Sequence, residues 1–183
     1  KMHAAMKHAA GPRREIGIRT IFNMLGPLTN PAGATAQLLG VYDARLVEMF
    51  AEVLKNMGTR RAFVVHGQDG LDEVTISGRT RVAELADGII RTYDIDPHDY
   101  LGLAHPLEMI RGGDPAANAR ILRDVLSGKE GPCRDVVLMN AAPAIVAGEK
   151  AADIREGIKM AEACIDDGRA MAKLEALIEM SNA

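Results

Sequence analysis

The 183-residue sequence has few aromatic residues, little cysteine and no long apolar run. Tryptophan is missing and aromatic residues make up 3% of the chain, so aliphatic side chains and ten methionines must fill the core. The two cysteines, Cys133 and Cys164, are too few for a disulfide framework and are typical of reduced, buried thiols in a cytoplasmic protein. Because no apolar run approaches the roughly 18 residues of a membrane span, we expect no membrane partner.

A general excess of basic residues is also missing, since the net charge is −3. This argues against a dedicated nucleic-acid-binding protein. Within the chain, however, residues 1–19 carry five basic side chains and one acidic one, a balance of +4 that leaves −7 on the remainder. A positive segment on an acidic body predicts a site for an anionic small molecule. The alternative is a solvated helix face.

Glycine–proline pairs interrupt the first part of the chain. The pairs at 11–12 and 26–27 each end a short helical pattern, because proline is rarely accepted inside a helix. From residue 34 onward, strand and helix patterns alternate. We therefore expect a helical segment over residues 1–33, which would pack against a region outside this chain, and an α/β domain over residues 34–183.

The beginning of the second region predicts a β-α-β unit. A strand pattern over 34–43 is followed by a helix with apolar residues at helical spacing, and then by the buried strand pattern RRAFVVHG over 60–67. Asp43 is expected to cap this helix. Such a unit implies parallel pairing of its two strands through a right-handed crossover.

Short strand patterns and helices make up the rest of the chain. The runs over 73–78, 80–85 and 88–95 are predicted to be antiparallel strands. The remaining residues are mainly helical, and the most apolar segment contains Pro143, which should end or kink its helix. The predicted fold is therefore α/β, with a mixed, mostly parallel sheet flanked by helices and preceded by the helical segment.

The adjacent acid pair Asp72-Glu73 is the sharpest chemical feature. It follows the buried strand that ends at His66, in a loop before the next strand pattern. Loops at the carboxyl ends of parallel strands are where α/β proteins bind ligands. Two carboxylates there suit Mg²⁺, which keeps several waters and commonly bridges carboxylates to a phosphate. The alternative is an acidic turn cap, and His66 itself is interpreted as the polar end of a strand.

Arg13 is the best candidate for a contact with an anion. It follows the first glycine–proline pair, and a guanidinium group can bind a carboxylate through two parallel hydrogen bonds. The sequence contains no glycine-rich dinucleotide string, Walker A string or nucleophile elbow. No residue stands out as an acid, base or nucleophile, so no catalytic residue is assigned.

Three strings resemble those of the anthranilate phosphoribosyltransferase family. Residues 3–31, HAAMKHAAGPRREIGIRTIFNMLGPLTNP, resemble H-P-A-M-K…R-x-x-(L/I)-G-(I/V)-R-T-(I/V)-F-N-(L/I)-L-G-P-L-T-N-P. Residues 66–78, HGQDGLDEVTISG, resemble H-G-x-x-G-x-D-E-x-S, and residues 138–148, LMNAAPAIVAG, resemble L-N-A-A-x-A-L-x-x-A-G. The first string is long and specific, and the match runs in order through the chain.

The resemblance implies an enzyme of tryptophan biosynthesis that transfers a phosphoribosyl group from phosphoribosyl pyrophosphate to anthranilate and releases pyrophosphate. It implies Mg²⁺, a homodimer, and a fold with a small helical domain and a larger α/β domain like that of nucleoside phosphorylases, joined at a hinge that includes residues 1–33. In the family pattern, Asp72 and Glu73 match paired acids that bind Mg²⁺. Arg13 matches the arginine that contacts the anthranilate carboxylate. Positions lining the anthranilate tunnel are matched by His3, Met6 and Pro27.

The sequence also departs from the family pattern. Ala4 stands where the family usually has proline, and Pro143 where it usually has alanine. The glycine-rich G-T-G-G-D string that binds pyrophosphate in the family is not in this chain, so we expect the chain alone to be inactive. A pyrimidine nucleoside phosphorylase-like enzyme, with a similar L-G-P-L-x-N-P string, and a non-catalytic binding module for anthranilate or phosphate are the alternatives.

Overall fold

The structure is a computed structural model that describes residues 28–30 and 32–182 and four single positions: Gly11, Glu15, Gly17 and Gly26. The chain divides into two compact units, Lys1–Thr35 and Ala36–Ala183, and each is described by itself. The domain division that the sequence predicts after residue 33 stays a prediction.

In the first unit, the described residues form a tight turn around Asn30. The Asn30 carbonyl accepts a hydrogen bond from the Gly33 N–H at 3.1 Å, and the Asn30 side chain accepts one from the Ala32 N–H at 3.0 Å. Gly33 has a φ of +61°, a conformation that glycine adopts without steric cost. The end of the glycine- and proline-rich string is therefore a turn held by an asparagine.

The second unit contains four strands and six helices among the described residues. The strands are β1 (Ala36–Gly40), β2 (Arg61–Gly67), β3 (Thr80–Ala86) and β4 (Ile89–Ile95). The helices are α1 (Leu46–Asn56), α2 (His98–Leu101), α3 (Pro115–Leu126), α4 (Pro132–Ala147), α5 (Ile154–Asp166) and α6 (Arg169–Asn182). A short 3₁₀ helix covers Leu107–Ile110.

The strands form one mixed sheet in the order β1-β2-β3-β4. β1 and β2 are parallel, and α1 connects them, as the β-α-β pattern predicted. The predicted α/β class, a mixed sheet flanked by helices, is confirmed.

The expectation of a mostly parallel sheet is wrong for the strands that the structure describes. One pairing is parallel, and the β2–β3 and β3–β4 pairings are antiparallel. β3 and β4 are joined by Asp87 and Gly88, both with positive φ, as in a two-residue hairpin turn. The connection from β2 to β3 contains no helix. Parallel pairing usually needs a helical crossover, so both connections favour antiparallel return.

Each face of the sheet packs on helices. Phe63 and Val65 of β2 belong to a buried cluster with α4 and α5 residues such as Met139 and Ile158. Because side chains alternate along a strand, Ala62, Val64 and their neighbours in β3 point to the opposite face, where α1 packs with its buried residues. These α1 residues are Val47, Phe50, Ala51 and Leu54.

The strand predicted over 73–78 does not form. The backbone groups of this segment bond to side chains and to one loop amide instead of to a neighbouring strand. The Thr75 N–H donates to the Thr80 hydroxyl at 3.0 Å, and the Ile76 carbonyl accepts from the His105 N–H at 2.8 Å. Val74, Thr75 and Ile76 in the middle of the segment are nevertheless buried, which explains why its apolar pattern resembles that of a strand.

The expected end of a helix at Pro143 is also wrong. α4 continues through this proline to Ala147, and Pro143 is buried. A proline inside a helix removes one backbone hydrogen bond, and tight packing at this point compensates. A Cβ atom on Gly157 of α5 would lie 2.8 Å from the Ala142 carbonyl oxygen, so the two helices are in close contact there.

Two smaller expectations need correction. Asp43 does not cap α1, because the residue before the helix is Arg45 and makes no side-chain cap. The Asp43 side chain instead accepts a hydrogen bond from the Arg45 N–H at 3.0 Å, forming a turn ahead of the helix. Cys133 and Cys164 are free, as expected, but both are half-buried rather than buried.

Candidate functional site

The candidate site lies at the edge of the sheet where β1 and β2 end. Gly40 is opposite Val65 in the parallel pair, so the carboxyl ends of these strands are neighbours. Residues 68–79, which we name the acidic loop, leave β2 at this edge and return into β3. The predicted acid pair is part of the acidic loop, at the edge where α/β proteins bind ligands.

The acidic loop is folded around the carboxylate of Asp69. One Asp69 oxygen accepts from the Leu71 N–H at 3.1 Å, and the other accepts from the hydroxyls of Thr75 and Ser77, each at 2.5 Å. Partial burial raises the pKa of Asp69, but the hydrogen bonds from Ser77, Thr75 and the backbone outweigh it and lower the pKa below its ordinary value. Asp69 therefore stays ionised and organises the loop.

Two glycines let the acidic loop approach the strand ends. A Cβ atom at Gly40 would overlap the backbone carbonyl of Asp72, so the loop lies directly on the end of β1. A Cβ atom at Gly67 would lie 2.6 Å from the Asp69 carboxylate and 3.1 Å from the side chain of Thr75. Glycine is needed at both positions because the loop leaves no room for a side chain.

The side chain of Asn140 on α4 holds the residue that follows the acid pair. Its oxygen accepts from the Val74 N–H at 2.8 Å, and its nitrogen donates to the Val74 carbonyl at 2.8 Å. The same nitrogen donates to the Val136 carbonyl at 2.9 Å, which fixes the amide on its own helix. Sequence reasoning missed both Asn140 and Asp69, because their partners are set by the tertiary fold.

Asp72 and Glu73 are exposed and have no hydrogen bond or ion pair with any described residue. Partial burial of the Glu73 carboxyl group and the negative charge of Asp72 raise the pKa of Glu73. Two adjacent carboxylates without a cationic partner are a donor set that suits a hard divalent cation such as Mg²⁺. The described residues contain no group of three or more metal-ligating side chains, so these two would bind a cation together with water or a ligand.

His66 has the role that its position at the end of β2 predicted. Its Nδ1 lies 2.7 Å from the carbonyl oxygen of Val41, which can only accept, so Nδ1 carries the proton. The histidine thus connects the ends of β1 and β2 through this bond. The predicted anthranilate-site residues lie outside the described residues: Arg13, His3, Met6 and Pro27.

A second polar region lies at the opposite edge of the sheet, where β2 begins. A cavity of about 320 Å³ is lined there by Arg61, Glu84 and the aromatic rings of Tyr93 and Tyr100. Glu84 accepts hydrogen bonds from Arg61 at 3.2 Å and from the Tyr93 hydroxyl at 3.1 Å. Its charge is therefore already compensated within the protein.

None of the helices in the described part of the chain is long and apolar enough to cross a membrane. The fold and the acidic loop define an α/β domain with a candidate ligand site at the carboxyl ends of its parallel strands. A family model described as "Glycosyl transferase family, a/b domain" matches residues 1–171. The chain belongs to this family.

Relatives of the chain include anthranilate phosphoribosyltransferases. The enzyme of Syntrophobacter fumaroxidans is 56% identical over 180 residues, which cover 98% of this chain and 53% of that protein. The enzyme of Geobacter sulfurreducens is 56% identical over 181 residues, covering 99% of this chain and 52% of that protein. The chain thus spans about half the length of these relatives, and the resemblance seen in its motifs is confirmed.

Solved structures show the same similarity. The anthranilate phosphoribosyltransferase of Thermus thermophilus has a TM-score of 0.89 at 40% identity, covering 99% of this chain and 54% of that chain. The enzyme of Saccharomyces cerevisiae in complex with phosphoribosyl pyrophosphate and Mg has a TM-score of 0.87 at 34% identity, covering 97% of this chain and 51% of that chain.

Proposed function

We propose that this chain is part of an enzyme of tryptophan biosynthesis that transfers the phosphoribosyl group of phosphoribosyl pyrophosphate to anthranilate. The observation that carries the proposal is the acidic loop, which presents two carboxylates without a partner among the described residues, at the edge of the sheet where α/β proteins bind ligands. Sequence identity of 56% to anthranilate phosphoribosyltransferases supports it. Further support comes from the yeast relative, solved with phosphoribosyl pyrophosphate and Mg and also with 4-fluoroanthranilate.

Asp72 and Glu73 would hold Mg²⁺ in this reaction. When bound, the ion supplies positive charge that stabilises the leaving pyrophosphate. The protein holds the two carboxylates on a fixed loop, through Asp69 on one side and Asn140 on the other, so that their arrangement is set before substrate binds. Partial burial of the carboxyl group and then the negative charge of Asp72 raise the pKa of Glu73.

On the acceptor side, Arg13 would bind the anthranilate carboxylate through its guanidinium group. His3, Met6 and Pro27 would line the aromatic acid. The amine nitrogen then forms a bond to the ribose C1, the bond from C1 to the pyrophosphate oxygen breaks, and the nitrogen loses a proton. No residue of this chain is assigned as the base that receives this proton.

The proposal includes an organisation for the complete protein. Residues 1–33 form a helical hinge segment and residues 34–183 the α/β domain, while the preceding region supplies the glycine-rich pyrophosphate loop. The complete enzyme is a cytoplasmic homodimer that acts on small molecules and binds neither nucleic acid nor membrane. Because this chain lacks the pyrophosphate loop, it is inactive alone.

The complete protein tests the function directly. Mixed with anthranilate, phosphoribosyl pyrophosphate and Mg²⁺, it should consume anthranilate, which is followed by loss of anthranilate fluorescence. Phosphorolysis of thymidine without any loss of fluorescence would show the phosphorylase alternative instead. The 183-residue chain assayed in the same way should show no turnover.

Replacing Arg13 with alanine should raise the KM for anthranilate, by a free energy of about 2 kcal/mol if one charge-assisted hydrogen bond is lost.

A further inference from the structure

Asn140 makes an unusual contact for a helix side chain, because it pairs with both polar groups of one residue in another element. Its oxygen and nitrogen each lie 2.8 Å from a backbone group of Val74, and the second N–H of the amide binds the Val136 carbonyl. All the donors of the side chain are used. Val74 is fully buried, so no water can replace these bonds.

Val74 directly follows the acid pair in the chain. Its side chain belongs to the same buried cluster as Met139 of α4, and its backbone is held by Asn140 of the same helix. On the other side of the pair, the backbone of Asp72 lies against Gly40. The two acidic residues are therefore fixed between the end of β1 and the middle of α4.

The backbone contacts also determine the direction of the two carboxylates. Asp72 and Glu73 repel each other and have no partner among the described residues, so their side chains do not hold each other in place. Only the backbone on either side determines where they point. Partners that orient the ligands of a metal typically contribute 10-fold to 100-fold in metal affinity.

We infer that Asn140 is a positioning residue for a divalent cation bound by Asp72 and Glu73. The inference rests on the proposed function, which assigns the acid pair to Mg²⁺. Asn140 acts through the backbone of Val74 and does not touch the ion. Its effect is to hold the pair in the arrangement that the cation requires, so its loss weakens cation binding more than the accompanying loss of stability explains.

Mn²⁺ binding to the complete protein provides the test. The free Mn²⁺ signal in electron paramagnetic resonance measures the dissociation constant without any assay of activity. Asn140→Leu keeps the side-chain size but removes every hydrogen bond to Val74. Asn140→Asp keeps one acceptor and replaces the donor by a second oxygen facing the Val74 carbonyl. Both variants should raise the Mn²⁺ dissociation constant by about 10-fold or more.

Arg134→Gln is the matched control. Arg134 also lies on α4 and is mostly buried, and it pairs with Asp166 at 2.7 Å and donates to the Gly128 carbonyl at 3.2 Å. This change should lower the melting temperature yet leave the Mn²⁺ dissociation constant within about twofold. Hydrogen exchange of the Val74 amide should accelerate in the Asn140 variants and stay slow in the control.

The variants separate a failure of the positioning role from a failure of the metal assignment. If Asp72→Asn with Glu73→Gln abolishes Mn²⁺ binding while both Asn140 variants bind as the wild type does, the positioning role is wrong and the metal site stands. If the double acid variant binds Mn²⁺ normally, the metal assignment and this inference both fall. If Asn140→Leu does not fold, Asn140→Asp decides alone. Equal weakening by Arg134→Gln would overturn the inference, because general destabilisation would then explain the effect.

Discussion

Acidic side chains at the two edges of the sheet differ in whether a cationic side chain pairs with them. At the edge where β2 begins, Arg61 and Glu84 form an ion pair in which the side chains are 22% and 20% exposed, and Arg60 pairs with Glu149 at 2.8 Å. At the edge where β2 ends, Asp72 and Glu73 are exposed and have no partner among the described residues. Ion pairs occur at both edges, since Arg79 pairs with Asp96 where β2 ends, but the adjacent carboxylates of the acidic loop lack a cationic partner among the described residues.

Local stability and ligand binding place different demands on acidic residues. Tyr93 and Arg61 satisfy Glu84, and burial together with this carboxylate raises the pKa of Tyr93. At the other edge Asp69 and the Val74 backbone accept and donate hydrogen bonds and Arg79 binds Asp96, but none of these bonds reaches the carboxylates of Asp72 and Glu73. The unpaired carboxylates cost some stability, which is common at functional sites.

The largest expected effect comes from removing the charges of the acidic loop. In the complete protein, Asp72→Asn combined with Glu73→Gln should reduce kcat/KM for phosphoribosyl pyrophosphate by about 1,000-fold, because several kcal/mol of charge stabilisation by the metal are lost. The Mg²⁺ dependence of the rate should disappear as well. Steady-state kinetics at varied Mg²⁺ concentrations measure kcat/KM and its Mg²⁺ dependence. An unchanged Mg²⁺ dependence would show that the acid pair is only an acidic turn.

The next effect tests the close contact between β1 and the acidic loop. Gly40→Ala places a methyl group where the Asp72 carbonyl lies, so the backbone must move, and we expect a loss of about 3 kcal/mol in the free energy of unfolding. Gly78→Ala is the control, since no atom of the described residues, its two chain neighbours aside, lies within 4 Å of its added Cβ. Urea unfolding compares the two, and equal stabilities would show that the contact is not rigid.

A smaller effect is expected at the paired edge. Glu84→Gln removes the charge that faces Arg61 and should lower the free energy of unfolding by about 1 kcal/mol, since the pair is only partly shielded from water. The Mg²⁺ dependence of the enzyme should not change, because this residue lies at the far edge of the sheet. A shift in Mg²⁺ dependence would mean that the two edges are coupled.

The smallest expected effect is a gain in stability instead of a loss. The pKa of Glu73 is raised in the folded protein, so its ionisation destabilises the fold, and this penalty develops as pH rises through the ordinary value of 4.5 and above. Glu73→Gln should therefore raise the melting temperature slightly at pH 7 without Mg²⁺, by about 2 °C or less. The gain should vanish below pH 4. A lower melting temperature at pH 7 would contradict the assignment of Glu73 as unpaired.

The sequence predicted the elements that depend on local pattern. The β-α-β unit and the hairpin strands β3 and β4 were found where periodicity and glycine placed them. The strand predicted over 73–78 failed because burial alone produces the same apolar pattern. Pro143 does not end its helix, although a proline removes one backbone hydrogen bond, and α4 and α5 are in close contact next to it.

The residues of the candidate site likewise include some that the sequence predicts and some that it does not. The acid pair was visible in the sequence because two adjacent carboxylates after a buried strand form a local signal. Asn140 was not visible in this way, because its partner Val74 is 66 positions away. An asparagine in an apolar helix has no local pattern that marks it as important. Asp69 was missed for a related reason: its hydroxyl partners follow it closely, but only the folded loop turns them toward it.

By itself the sequence determined the family and the α/β class and revealed the adjacent acid pair, because residue type and short-range spacing carry this information. Tertiary structure decided which carboxylates are compensated and which are left free. Glu84 and Glu73 are both glutamates next to buried residues, yet only the fold brings Arg61 and Tyr93 to the first and leaves the second, among the described residues, with Asp72 alone. Electrostatic pairing depends on distances across the fold, and these are not encoded in any local stretch of residues.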